Sequence, residues 1–157
     1  MPLTLWTDKY EVGVESLDAD HIIIFSLINY IDEAIRLDAS QKTIHRMLRV
    51  LILLAVEHFQ REEILMNKNA YPDTKAHTAE HHKIVKKLQS LIEAYEKSPT
   101  ANVSGEIINV LAAWMNGHVM ETDMRYRPFL TGQEASPRDA ASEQPQAEPE
   151  QPVGSGP

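Results

Sequence analysis

Cysteine is absent from the chain. That excludes disulfides, thiolate metal sites and iron–sulfur clusters, and it fits a reducing, cytoplasmic compartment. Basic charge is scarce as well: 15 Lys and Arg stand against 23 Asp and Glu, a formal net charge of −8. A general nucleic-acid surface is therefore not expected. Long apolar runs are missing too. The longest, Val50 to Val56, is far too short to cross a bilayer, so no membrane insertion is expected. The start, MPLTLWTDKYEVGV, has no basic segment followed by an apolar one, and no signal peptide is expected. No internal repeat at the periods of helical-repeat proteins is visible.

What is present is ordinary globular material. The chain has 157 residues, 43% of them hydrophobic and 24% charged, enough for one domain with a real core. Residues 1–17 show no clear period and read as an extended arm, carrying Trp6, Tyr10 and Gly13, that folds back on the domain. From Asp18 the pattern is helical, with His21, Ile24, Phe25, Ile28 and Ile35 on one face up to about Leu37. Ser40 is a suitable cap for a second helix reaching about Lys68. Its buried stripe takes in Ile44, Met47, Leu48, Leu51, Leu54 and Ala55, then His58, Glu62, Leu65 and Met66. Tyr71-Pro72-Asp73 breaks the chain and starts a third helix, where His77, His81, Ile84, Leu88, Leu91 and Tyr95 align. Ser98-Pro99 punctuates again, with the proline suited to a first helical turn. The fourth stripe is Ile107, Leu111, Trp114 and His118, and Pro128 should end the ordered region.

Four helices with short connections imply an all-α, up-down-up-down bundle over residues 1–130. From Thr131 the composition changes. Residues 131–157 hold five of nine prolines, three of six glycines, five acids against one arginine and no aromatic residue. Such a segment cannot bury enough apolar surface to offset its ordering entropy, so a disordered acidic tail is expected. A plain solvated terminus is preferred there over a protein-binding segment.

A carboxylate in a core position, such as Glu62, is costly unless something pairs with it. Each helix also places histidine on its buried stripe: His21, His58, the pair His77 and His81, and His118. Residues four apart rise about 6 Å and rotate about 40° from alignment, so His58 projects with Glu62 and His77 with His81. His45, His82, Glu63 and Glu80 fall off the stripes and are assigned to the surface. A lone histidine on an apolar face is ordinarily a core residue bonded to a neighbour. Five of them with an inward glutamate are satisfied together by a metal centre, which accepts neutral imidazole nitrogen and carboxylate oxygen. Five histidines exceed the needs of one ion with an open site, and two ions sharing carboxylates use the set naturally. Asp123 is the candidate for a second shared carboxylate. It lies about 140° from His118 on a regular helix, so its use demands a π-type loosening of the fourth helix. Gly117 is placed to ease it.

Asp18-x-x-His21, His58-Phe59-x-x-Glu62-Glu63, His77-x-x-x-His81, and Trp114-x-x-x-His118 followed by Asp123 resemble the hemerythrin-like family, specifically its single-domain bacterial members. Trp6 and Tyr10-x-Val12-Gly13-Val14 are similar as well, and the likeness spans about residues 6–130. The resemblance implies a pair of non-haem irons with an oxo or hydroxo bridge. His77, His81 and His118 would hold one, His21 and His58 the other, and Glu62 and Asp123 would bridge. It further implies reversible dioxygen binding at the iron with two histidines, hence a carrier, store or local supplier of oxygen rather than an enzyme. Five neutral imidazoles stabilise high-valent iron less than a carboxylate-rich set does. Ile22, Leu54, Trp114, Met115 and Val119 flank the ligands and should form a dry oxygen pocket. The family more often resembles Trp-Leu where this chain has Trp114-Met115, and a glutamine is common where it has Asp20.

Two other metal-based readings compete, and a metal-free interaction bundle is a third. His77-Thr78-Ala79-Glu80-His81 fits the inverted zincin pattern, in which Glu80 would activate water beside zinc. That leaves His21, His58, Glu62 and His118 unexplained. An oxygen or redox sensor, or a di-iron oxidase or peroxidase, would use the same site. A sensor ordinarily carries an output domain, so oxygen carriage is preferred.

Overall fold

A computed structural model describes residues 5–131. Four long helices dominate: α1 (Glu15–Arg36), α2 (Gln41–Lys68), α3 (Thr74–Lys97) and α4 (Ala101–Ala113). α4 runs on without a break into a π-helical segment, Trp114–Thr122, and a 3-10 turn, Asp123–Arg125. A short α5 (Arg127–Leu130) follows. α1 packs on α2, α2 on α3, α3 on α4, and α4 back on α1, closing an up-down-up-down bundle. No strand occurs among the described residues. The tail expected over residues 131–157 lies outside them, apart from Thr131.

The apolar stripes are what the bundle buries. Ile24, Phe25 and Ile28 of α1 meet Ile44, Leu48, Leu51 and Ala55 of α2, Leu88, Leu91 and Tyr95 of α3, and Ile107 and Leu111 of α4. A second cluster closes the other end, from Val12, Val14, Leu17, Met66, Tyr71, Tyr126 and Leu130. The N-terminal arm does fold back. Trp6 stacks on Tyr10 with ring centroids 5.6 Å apart, Tyr10 meets Phe25 edge-on at 4.7 Å, and the Tyr10 hydroxyl donates to Asn116 Oδ1 at 3.0 Å.

Three boundaries differ from the sequence reading. α1 begins at Glu15 rather than Asp18, because the Asp18 carboxylate turns back to accept the backbone N–H groups of Val12 (2.7 Å) and Gly13 (3.0 Å). It ties the arm to the helix rather than capping it. Gly13 sits at φ +81°, and a Cβ there would come within 3.0 Å of Thr131 Cγ2, so glycine is required on both counts. Pro99 precedes the fourth helix instead of opening it, since the Thr100 side chain caps the N–H of Val103. Pro128 does not end the ordered chain: it occupies the first turn of α5, where a missing N–H costs nothing. Ser40 caps α2 through the N–H of Thr43, as expected.

α1 and α2 both end in the left-handed turn that usually employs glycine. Ala39 N–H bonds Ala34 O and Asp38 N–H bonds Ile35 O; Tyr71 N–H bonds Met66 O and Ala70 N–H bonds Asn67 O. The residues at positive φ are Asp38 (52°) and Ala70 (51°). Alanine has no side-chain polar group to offset that conformation. Ala70→Gly is therefore expected to stabilise the protein by about 0.5–1 kcal/mol, net of glycine's freer unfolded chain, as read from the urea midpoint.

Candidate metal centre

Between the two apolar clusters the bundle gathers charge. His21, His58, Glu62, His77, His81, His118 and Asp123 are all buried, with Glu62 and Asp123 fully so. α1 supplies His21, α2 supplies His58 and Glu62, and α3 supplies His77 and His81, the last four as two pairs one helical turn apart. The π-helical segment solves the problem of Asp123. Its i→i+5 hydrogen bonding, seen in the Asp123 N–H to His118 O bond, brings residues five apart onto one face. Gly117 lies inside that segment, with nothing within 4 Å of where a Cβ would stand.

The donor atoms form two overlapping groups. Glu62, His77, His81, His118 and Asp123 each offer an atom within 4.8 Å of all the others, and so do His21, His58, Glu62 and Asp123. The two carboxylates belong to both groups. Asp123 Oδ1 lies 3.1 Å from His77 Nε2 and 3.1 Å from His118 Nε2, while Oδ2 lies 3.4 Å from His21 Nε2. Glu62 Oε2 lies 3.1 Å from His81 Nε2, and Oε1 lies 3.4 Å from His58 Nε2. Adjacent ligands on an ion with bonds of about 2.1 Å are about 3 Å apart, so these separations suit a cation. The Nε2 atoms of all five histidines, Glu62 Oε2 and both Asp123 oxygens are buried without a hydrogen-bond partner among the described residues. Orphaned polar atoms are rare in folded proteins, and here they all face one centre. The residues fit metal.

The electrostatics agree. Burial pushes His58 down, but Glu62, Asp20 and Asp123 outweigh it and raise its pKa to about 10. Burial likewise opposes the charged form of His118, and Asp123, Glu62 and Glu80 raise it nonetheless. Burial and its proximity to Asp123 would raise Glu62, yet His58 and His81 hold it below the usual carboxylate range. Asp123 is held well below that range by His118, His21 and His77, against the effect of burial. Left to itself, the cluster recruits protons as surrogate cations.

A further set of contacts was not anticipated. Asp20 Oδ2 lies 3.3 Å from His58 Nδ1, Glu63 Oε1 2.9 Å from His81 Nδ1, and Glu80 Oε2 3.2 Å from His118 Nδ1. With Nε2 facing the centre, each Nδ1–H donates to a carboxylate on the preceding helix, which fixes tautomer and ring orientation. Glu63 and Glu80 are thus partly buried partners of histidines rather than bystanders on the surface. His45 is also drawn in: it is half-buried, 3.6 Å from Glu96. His82 is exposed, as expected. The sequence signal was adjacency, since each of these acids sits beside a clustered residue in the chain (Asp20 by His21, Glu63 by Glu62, Glu80 by His81). Glu80 also accepts from Thr122 Oγ1 at 3.1 Å. It is committed to α4's side and does not stand as a base beside His77 and His81, which removes the geometry the zincin motif needs.

Tyr126, missed from sequence, donates its buried hydroxyl to Glu62 Oε1 at 2.5 Å. Phe59 stacks on His81 at 3.9 Å, nearly parallel, and meets His118 edge-on at 5.9 Å. Of the apolar flank, Trp114, Met115 and Val119 are buried and Leu54 is partly so. Ile22 is 44% exposed and does not line a buried pocket. It follows His21 by one position, and that step turns it off the inward face.

A closed bundle that buries five imidazoles and two shared carboxylates is a cation-binding helical protein. The hemerythrin HHE cation binding domain model matches residues 12–130. A bacteriohemerythrin of Methylococcus capsulatus is 30% identical over 132 residues, covering 83% of this chain and 99% of that protein. A myohemerythrin of Theromyzon tessulatum is 29% identical, covering 80% and 92%. Among solved structures, wild-type hemerythrin superposes with a TM-score of 0.69 at 28% identity, over 82% of this chain and 98% of that one. A hemerythrin point mutant superposes with a TM-score of 0.76 at 29% identity, over 83% and 99%. The chain belongs to the hemerythrin family, and membership implies oxygen binding at non-haem iron. No helix among the described residues is long and apolar enough to cross a membrane.

Proposed function

We propose that this protein binds dioxygen reversibly at a non-haem di-iron centre and serves in the cytoplasm as a carrier, store or local supplier of oxygen. His77, His81 and His118 would hold one iron, His21 and His58 the other, with Glu62 and Asp123 shared between them. The observation that carries the reading is the double membership of the two carboxylates: each lies within reach of both histidine groups. When bound, the two irons supply the electrons on which reversible oxygen binding depends.

The protein's own part is to orient and to exclude water. Tyr126 holds Glu62 in place, and Asp20, Glu63 and Glu80 hold three imidazole rings. Phe59 lies against His81, His118 and Trp114, and Met115 and Val119 are buried in the same apolar cluster, which supports a dry flank beside the centre. Few acids are free to deliver protons to bound oxygen, which favours release over reduction. A ligand set dominated by neutral imidazole supports binding over catalysis for the same reason that it disfavours high-valent iron.

The test is an absorption spectrum of the purified protein with and without oxygen, beside its iron content. Two irons per chain and a band that appears with oxygen and leaves on its removal are expected. Repeated turnover of a reductant with oxygen consumption would overturn the carrier reading. The flank yields its own prediction. Met115→Gln places an amide in the dry flank, so autoxidation should accelerate about tenfold, followed as loss of the oxygenated spectrum. An unchanged rate would show that the flank does not protect the centre.

A further inference from the structure

Three histidines of the cluster have carboxylate partners, but the three carboxylates are not equivalent. Glu63 and Glu80 have no lysine or arginine within ion-pair distance among the described residues. Asp20 has Arg61 in a two-pronged clamp: Nε donates to Oδ2 at 2.7 Å and Nη2 to Oδ1 at 2.9 Å. The same Oδ2 faces His58 Nδ1 at 3.3 Å. Asp20 is mostly buried, and the crevice lined by Asp20, Ile23, Ile24, Leu54 and Arg61 has a volume of about 20 Å³, room for a single water. Asp20 keeps 18% of its side chain exposed and Arg61 44%, so solvent screens the pair, and the two-pronged geometry on the His58 partner is what sets it apart. His21, the other histidine of this group, has no hydrogen-bond partner on Nδ1 among the described residues.

We infer that the Arg61–Asp20 clamp is a tuning device for the His21/His58 side of the centre, acting through the His58 ring. The inference rests on the di-iron reading. A carboxylate that accepts from Nδ1–H pushes electron density towards Nε2 and so favours the more oxidised metal. A guanidinium forked onto the same carboxylate withdraws part of that density and adds a positive charge nearby, which favours the reduced metal. Both effects have the same sign, so the direction of each substitution is fixed. His81 and His118, whose carboxylates lack such a clamp, keep the stronger donation. With iron bound, the two sides would be unequal, the His21 and His58 side favouring the reduced state. Arg61 is a positioning residue here, its guanidinium acting on the His58 ring through Asp20.

The experiment loads full-length wild type, R61Q, R61K and D20N with ferrous iron without oxygen. A mediated redox titration is then read from the absorption of the oxidised centre, with iron content measured on the same samples. At the wild-type midpoint, R61Q should raise the oxidised-to-reduced ratio about tenfold and D20N should lower it about tenfold. R61K, which keeps the charge but loses the fork, should fall between wild type and R61Q. R36Q serves as a control: it removes a cation paired with Asp32 at 3.0 Å, at the opposite end of α1 from His21, and should leave the midpoint unmoved. If D20N takes up no iron, the ordering of R61Q, R61K and R36Q decides alone. Iron-loaded R61Q matching wild type, or R61Q and D20N moving the midpoint the same way, overturns the inference and leaves the di-iron reading intact. A wild-type chain that takes up no iron overturns both.

Discussion

Glu62→Ala is expected to abolish stable di-iron loading, lowering iron content from two per chain to less than one, while Glu63→Ala, one residue away, still fills both positions at saturating iron. Helix geometry separates the neighbours. Glu62 is fully buried, and its two oxygens face His58 on one side and His81 on the other. Removing it takes a shared ligand from both groups at once and leaves the Tyr126 hydroxyl buried with no acceptor. Glu63 reaches only the far nitrogen of His81. Loss of such an outer partner costs roughly 10- to 100-fold in metal affinity, which saturation overcomes. The metal-free proteins should differ as well. Removing one member of a buried charged cluster costs about 3–5 kcal/mol, so E62A should unfold at clearly lower urea than E63A. Two irons on E62A, measured by metal analysis after desalting, would refute the shared-carboxylate arrangement.

The contrast between these two glutamates also shows what a sequence discloses and what it withholds. Spacing reports the face of a residue on its own helix. It turns Glu62 inward with His58, and the same arithmetic defines the inward stripes of all four helices. Asp123 was harder, because a regular helix points it away from His118. Only the need for a second shared carboxylate suggested a π-type turn, and the structure shows one over Trp114–Thr122. The Nδ1 partners leave only a weak mark in the sequence, their adjacency to clustered residues. Asp20, Glu63 and Glu80 each serve a histidine on the next helix, and periodicity within one helix says nothing about its neighbour's reach. Ile22 departs from the expected pocket for a related reason: it directly follows His21, and one step along a helix turns a side chain by about 100°, here towards solvent. The start of α1 was obscured by Asp18, which has the composition of a cap and the job of a tie between arm and helix.

Stripping the metal should give the protein an alkaline loss of stability that the loaded form lacks. In the ion-free chain, His58 is raised from its ordinary 6.5 to about 10, and His118 is raised with it. A group whose pKa is higher folded than unfolded stabilises fully below its unfolded value, and that contribution is lost as pH climbs through the folded one. Glu62 and Asp123 are shifted the other way, so their contribution is present above their ordinary values of 4.5 and 3.8 and is lost as pH falls below them. Metal-free protein should therefore be most stable between about pH 4.5 and 6.5 and weaken from there towards pH 10. The slope should be about 1.4 kcal/mol per pH unit for each proton held only by the folded state. Iron demands neutral imidazole, so loading expels those protons and its affinity grows as they are removed. The gain in affinity offsets the stripped fold's loss, because loaded protein and unfolded chain then both hold neutral imidazoles; the loaded protein's stability should stay nearly level from about pH 7.5 to 9, while the stripped protein's falls. Urea unfolding of both forms at several pH values reads this directly, and proton release on loading at pH 7 should accompany it. Parallel pH profiles for the two forms would mean that the buried imidazoles do not exchange protons for metal.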